Sequence, residues 1–219
     1  MKPAAVIFDM DGTLVDNNPY HVKAWQAFYQ KRGRELSLDE YKQNINGRVA
    51  KDIFPYIFER EIEPDEIVLL SDEKESLYRE LYKPHIKPID GLVPFLEELQ
   101  NAGLPMSIAT SGLPVNIDFL FEHLVIKKYF QSIIDASQIT KGKPNPEIFL
   151  KAAQSIPADP LSCVAFEDSV SGIAAAKAAG MKVVALTTMQ KRGFIQQADL
   201  IIDDYTQVNL TMLRELWKQ

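Results

Sequence analysis

The sequence predicts a doubly wound α/β core, a parallel sheet covered by helices on both faces, with one all-helical domain inserted into it. Three observations predict this. Short apolar runs of strand length recur along the chain. Helix-length segments alternate with most of the later runs. One long interval after the first run carries helical periodicity and no strand pattern. Strands that are apolar almost throughout, alternating with helices, belong to parallel sheets buried on both sides.

The strand-like runs are "AAVIF", "PMSIAT", "SIIDA", "SCVAF", "KVVAL" and "LIID". Helical patterns between them are "LVPFLEELQNAG", "PVNIDFLFEHL", "NPEIFLKAAQS" and "SVSGIAAAKAAG", two of which stop at glycine, Gly103 and Gly180, a common C-terminal signal. In the insert, "YHVKAWQAFYQKRG" reads as a helix ending at Gly33, and Ser37 with Glu40 forms a capping-box pattern. "EPDEIVLLSDEKESLYRELY" has Pro64 near its start and an apolar stripe at Ile67, Leu70, Leu77, Tyr78 and Leu81. "KPHIKPIDG" then reads as a hinge back to the core. The division expected is a core of residues 1–16 and 85–219 around an insert of 17–84.

Composition narrows the function classes. The chain has 219 residues, 46% hydrophobic and 25% charged, with a formal net charge of −6. No lysine or arginine run tracks a phosphate backbone, so nucleic acid is not an expected partner. No segment approaches the ~20 apolar residues of a membrane helix, and the first apolar run is too short for a signal-peptide core. A cytoplasmic protein without membrane attachment is expected. The single cysteine, Cys163, cannot form an internal disulfide and reads as a small buried hydrophobe on a strand.

"AVIFDMDGTLVD" carries the chemistry. Asp9, Asp11 and Asp16 crowd one short stretch, and Asp9 directly follows an apolar strand. A solvated acidic turn does not explain acids at the end of a buried strand. A calcium loop places its glycine later, follows a helix and ends on glutamate. The remaining reading is a magnesium-assisted phosphoryl-transfer site, with one carboxylate as nucleophile and metal ligand and its neighbour moving the proton. Open parallel sheets bind ligands beyond the strand ends, where strand order reverses.

That reading needs partners, and the chain holds them. "SCVAFEDSVSG" supplies Glu167 and Asp168 at another strand end; "SIATSG" supplies Thr110, Ser111 and Gly112; "TKGKPNPEIF" supplies Lys143. Hydroxyl and N–H donors with a cation are what a transferring phosphoryl group requires. Each fragment alone has an ordinary explanation as a turn, a solvated lysine or a helix N-terminal charge. Their order and placement together favour the site.

"DMDGT" with Thr110, Lys143 and "EDS" resembles the four motifs of the haloacid dehalogenase-like hydrolase superfamily, and more closely its β-phosphoglucomutase-like subgroup. The resemblance spans essentially the whole chain and implies a Rossmann-like core with a helical cap. It implies Asp9 as the nucleophile that becomes an aspartyl-phosphate, and Asp11 as the proton carrier whose backbone carbonyl meets the metal. Thr110 and the Ser111 N–H would hold the phosphoryl group, with Gly112 beside them, and Lys143 would neutralise it. Asp9, Asp11 and Asp168 would hold Mg²⁺, and Glu167 would bind it or orient its waters. Asp16 would stand at the hinge.

In the cap the resemblance points to His21, Gly47, Arg48 and Lys74 as substrate-binding positions. His21 shares a helix face with Trp25 and Phe28, so plain packing competes with function there. Arg48, beside the pivot glycine of "NGRVAKD", grips a phosphate or carboxylate, or is solvated. Lys74 interrupts the apolar stripe, so it snorkels out or points into a pocket.

Sugar-phosphate mutases of the subgroup carry an arginine three residues after the loop glycine, where this chain has Ala50. A phosphatase of a small phosphorylated metabolite, a sugar phosphate first, is therefore the leading expectation, with Mg²⁺ as cofactor and a monomeric state. β-Phosphoglucomutase is the alternative. A non-catalytic binding protein is more remote, because every catalytic group is retained.

Overall fold

The structure, a computed structural model, describes residues 3–45 and 48–218. Its strands are β1 (Ala5–Phe8), β2 (Met106–Ala109), β3 (Ser132–Ile134), β4 (Cys163–Glu167), β5 (Lys182–Leu186) and β6 (Leu200–Ile202). Its helices are α1 (Asn18–Gln30), α2 (Leu38–Glu40), α3 (Ala50–Phe58), α4 (Pro64–Tyr82), α5 (Leu92–Asn101), α6 (Pro114–His123), α7 (Glu147–Ser155), α8 (Val170–Ala178) and α9 (Leu210–Glu215). The chain divides into two compact units, 1–16 with 86–219 and 17–85.

The first unit is built on one six-stranded parallel sheet in the order β3-β2-β1-β4-β5-β6. The chain runs outward from β1 through β2 to β3, then returns to lay β4 on the other side of β1. Strand order therefore reverses between β1 and β4, where Phe8 pairs with Phe166. The crevice beyond such a reversal is where open α/β sheets bind ligands.

The strands explain themselves by their two-residue period. Ala5, Ile7, Cys163, Ala165, Val183 and Ala185 join one buried cluster with Ile148, Phe149 and Ala152 of α7 and Ile173, Ala175 and Ala176 of α8. Phe8 and Phe166 stack with centroids 4.9 Å apart, and Phe95 of α5 and Tyr205 close around Phe166 at 5.4 and 5.5 Å. Each aromatic buries a large area, and offset or tilted pairs add about 0.5–1.5 kcal/mol apiece. Cys163 lies in the first cluster, and burial pushes its thiol up to about 12, which leaves it a packing group.

The second unit is helical, with no strand among its described residues. Trp25, Phe28 and Tyr29 of α1 pack with Ile53, Phe54 and Ile57 of α3, and Ile67, Leu70 and Leu77 of α4 lie against them. The Ser37–Glu40 spacing predicts a capping box. Ser37 does accept the Glu40 N–H at 3.1 Å. The Glu40 carboxylate instead accepts the hydroxyls of Tyr29 and Tyr56, each at 3.2 Å.

Candidate active site

The backbone of Asp9 continues the sheet one residue past β1, its N–H donating to the Phe166 carbonyl at 2.9 Å. The chain then turns tightly. Gly12 takes a positive φ of 73°, a conformation open to glycine at no steric cost, and donates to the Val15 carbonyl at 2.8 Å. Two distant hydroxyls pin this loop: Tyr205 donates to the Thr13 carbonyl at 3.0 Å, and Thr188 to that of Gly12 at 2.5 Å. Asp11 is half-buried within the loop and Asp16 is exposed at its end.

The end of β2 lies against the same loop. Thr110 is buried, and its N–H donates to Ile134. Its hydroxyl accepts the Gly112 N–H at 2.9 Å, which leaves the hydroxyl hydrogen able to donate elsewhere. A Cβ on Gly112 would stand 3.1 Å from Thr110 Oγ1 and 3.5 Å from an Asp11 carboxylate oxygen. Glycine there lets the backbone approach Asp11. Ser111 is exposed just before α6.

Lys143 joins the two central strands. Its Nζ lies 2.6 Å from Asp9 Oδ1 and 2.5 Å from Glu167 Oε1, with all three side chains nearly buried. Glu167 spends its other oxygen on the chain that follows it. Oε2 accepts from the N–H groups of Asp168 and Ser169 at 2.9 and 2.8 Å, and from the Ser169 hydroxyl at 2.9 Å. A carboxylate filled this way organises its surroundings. Asp168, also buried, receives the Thr188 hydroxyl at 3.4 Å.

Burial pushes the Asp9 carboxyl above the usual range; Lys143 pulls it back, and the like charges of Glu167 and Asp11 add to the push. Burial would strip Lys143 of its proton, but the flanking carboxylates of Asp9 and Glu167 hold it protonated. The site thus favours added positive charge. Among the described residues no three His, Cys, Asp or Glu side chains converge as a ready metal cage. Magnesium does not need one, because it keeps waters and takes one or two carboxylates together with phosphate oxygens. The hard oxygen donors at the ends of β1 and β4 fit that demand.

The helical unit gathers other expected residues. Lys74, only 5% exposed, sets its Nζ 2.9 Å from His21 Nδ1 and 2.8 Å from Glu75 Oε1. It does not snorkel. His21 stacks on Tyr78 with centroids 3.9 Å apart and planes 5° from parallel. Burial and the Lys74 charge lower its pKa well below 6.5. The imidazole is therefore neutral, and Nδ1 is the acceptor for the lysine. Arg48 is exposed and donates to the Gln43 carbonyl at 3.0 Å. Gly47 lies outside the described residues. Ala50, at the start of α3, is partly exposed.

Four supporting residues escaped sequence reasoning: Ser169, Gly172, Thr188 and Tyr205. Gly172 carried a signal, since glycine inside a helical pattern marks a close approach. Here the approach is to Glu167, whose carboxylate atoms would lie 1.8–2.4 Å from a Cβ on residue 172. Thr188 and Tyr205 carried none, because a strand-end threonine and a distant tyrosine are ordinary in sequence.

Comparison with known proteins shows the family. The family model described as haloacid dehalogenase-like hydrolase matches residues 6–186. The fructose-1-phosphate phosphatase of Escherichia coli is 31% identical over 83% of this chain and 95% of its own. The β-phosphoglucomutase of Bacillus subtilis is 30% identical over 98% and 96%. Among solved structures, a family IA hydrolase of that superfamily from Entamoeba histolytica superposes with a TM-score of 0.92 at 32% identity, covering 100% of both chains. With its matching motifs, its six-stranded sheet and its helical insert after the first strand, the chain belongs to the haloacid dehalogenase-like hydrolase family.

Proposed function

We propose that this protein is a Mg²⁺-dependent phosphatase that hydrolyses a small phosphorylated metabolite, a sugar phosphate first, through an aspartyl-phosphate on Asp9. The observation that carries the reading is the Asp9–Lys143–Glu167 cluster at the strand-order reversal, with Asp11 and Thr110 on the neighbouring loops. Asp9 attacks phosphorus, and Asp11 gives its proton to the leaving oxygen and then takes one from water. Thr110 and the Ser111 N–H hold the phosphoryl oxygens while Lys143 balances their charge. Asp9, Asp168 and the Asp11 carbonyl would hold Mg²⁺, which when bound supplies charge stabilisation to the transferring group. Glu167, already filled by chain donors, orients rather than binds. His21, Gly47, Arg48 and Lys74 are proposed to recognise the leaving group, with Asp16 at the hinge.

The relatives named for sugar-phosphate chemistry support this substrate class. The mutase reading stays as the alternative because of the Bacillus subtilis relative; Ala50, in place of a distal-phosphate arginine, weighs against it. A panel of phosphate monoesters with Mg²⁺ and phosphate detection tests both. Phosphate release, abolished in Asp9→Asn, is expected. Efficient interconversion of β-glucose 1-phosphate and glucose 6-phosphate with little free phosphate would replace this reading with the mutase.

A further inference from the structure

Lys143 sits on a loop that has to place an ammonium group within 2.6 Å of Asp9. A lysine has four rotatable bonds, and a loose loop would spread that charge over several ångströms. The loop is not loose. Glu147, the first residue of α7, folds its carboxylate back over the segment before Lys143. It accepts the Thr140 N–H at 3.0 and 3.1 Å, the Thr140 hydroxyl at 2.8 Å and the Lys141 N–H at 2.9 Å. Lys151, one turn later, reaches it at 3.1 Å and donates to the Gln138 carbonyl at 2.5 Å. Asn145 completes the ring, capping the Glu147 N–H at 3.0 Å while its own N–H meets the Gly142 carbonyl at 3.0 Å. Lys143 is at the turn that this ring encloses.

We propose that Glu147 is a positioning residue for Lys143: by fixing Thr140 and Lys141 to the first turn of α7, it sets the reach of the ammonium group to Asp9. It touches no reacting atom. The donors that converge on it hold its pKa at about 2, so the clamp stays ionised throughout the working range of a hydrolase. The proposal rests on reading Asp9 and Lys143 as the phosphoryl-transfer pair. The competing explanation is that a glutamate at a helix start merely stabilises α7.

A double-mutant cycle separates these, because coupling appears only where one residue acts through the other. Glu147→Ala is expected to lower kcat for phosphate release from p-nitrophenyl phosphate about 10- to 100-fold with KM little changed, the scale of misplacing a catalytic group by about 1 Å. In a Lys143→Ala background the same substitution should cost less than about twofold. Equal losses in both backgrounds, or an unchanged kcat, overturn the proposal. Glu147→Gln, which keeps one acceptor oxygen but turns an amide donor toward the other N–H groups, should fall between and serves where the alanine variant folds poorly. A second readout is independent of activity: modification of Lys143 by an amine-specific reagent, followed by peptide mass spectrometry. Its labelling should rise several-fold in the Glu147 variants while exposed lysines are unaffected; unchanged labelling overturns the clamp. A wild-type protein that releases no phosphate, together with Glu147 variants that still show the rise in labelling, would instead refute the phosphatase reading and leave the clamp standing.

Discussion

Glu167 shows how one residue can be fixed from every side. Lys143 holds one oxygen and three donors hold the other, while Gly172 leaves the space its carboxylate fills. Gly172→Ala sets two effects against each other. Alanine in a helix gains roughly 0.5–1 kcal/mol over glycine, but its Cβ would overlap atoms that four hydrogen bonds hold in place. Overpacking of this kind costs about 1–3 kcal/mol, so the overlap wins. Urea denaturation should show a lowered midpoint, and phosphate release should fall because Lys143 loses its second anchor; a stabilised variant with full activity would contradict this. Thr13 is the opposite case. Its hydroxyl is fully buried and, among the described residues, without a hydrogen-bond partner. Replacing an unsatisfied buried hydroxyl with a methyl group of similar shape is neutral or favourable, so Thr13→Val should hold or raise the denaturation midpoint, by up to about 1–3 kcal/mol. A clear loss would mean the hydroxyl has a partner, such as an ordered water.

At the scale of elements, α8 links the site to the fold. Ser169 accepts the Gly172 N–H at 3.0 Å as its N-cap and donates to Glu167 from the same hydroxyl. Ser169→Ala should therefore cost about 1 kcal/mol from the lost cap and also lower phosphate release. An activity loss without a stability loss would show that the cap contributes nothing. The strands were the most legible elements: each of the six apolar runs overlaps a strand of the sheet, because burial on both faces demands near-continuous apolar sequence. Helix α3 was not legible. It carries Pro55 in its interior, a residue that reads as a breaker, and its apolar residues are understood only once they meet Trp25 and Phe28. Likewise the motif acids could be named from their positions after strands. The hydroxyls of Thr188 and Tyr205 reach the acidic loop from far along the chain, and no local pattern encodes that distance.

The whole molecule combines a sheet whose strand order reverses between β1 and β4 with an inserted helical unit whose own charges are managed by burial. That second arrangement makes stability depend on pH. His21 has a pKa well below 6.5 when folded, first through burial and then through Lys74. Above pH 6.5 the imidazole is neutral in both folded and unfolded chains, and its contribution is fully present. Below 6.5 the unfolded chain binds a proton that the folded one refuses, so stability falls as pH falls, by up to about 1.4 kcal/mol per pH unit. Glu73 and Asp199 add a later loss of the same sign, whereas Asp9, which burial holds above its ordinary range, works in the opposite direction. Arg32 lowers Glu73 from 4.5, and Asp199, although burial pushes it up, is held below 3.8 by Lys177, the Val183 N–H and Lys182. Both contributions persist above those values and disappear as pH drops through the lowered ones. Two acid phases are thus expected in urea midpoints followed by circular dichroism, one beginning near pH 6.5 and one below about 4.5. His21→Asn keeps an acceptor for Lys74 but removes the titrating ring, so it should flatten the first phase and leave the second. Wild-type and His21→Asn midpoints that change in parallel from pH 7 to 5 would show that folded His21 takes up its proton freely, and that the Lys74 contact does not keep the ring neutral; the comparison cancels the opposing contribution of Asp9.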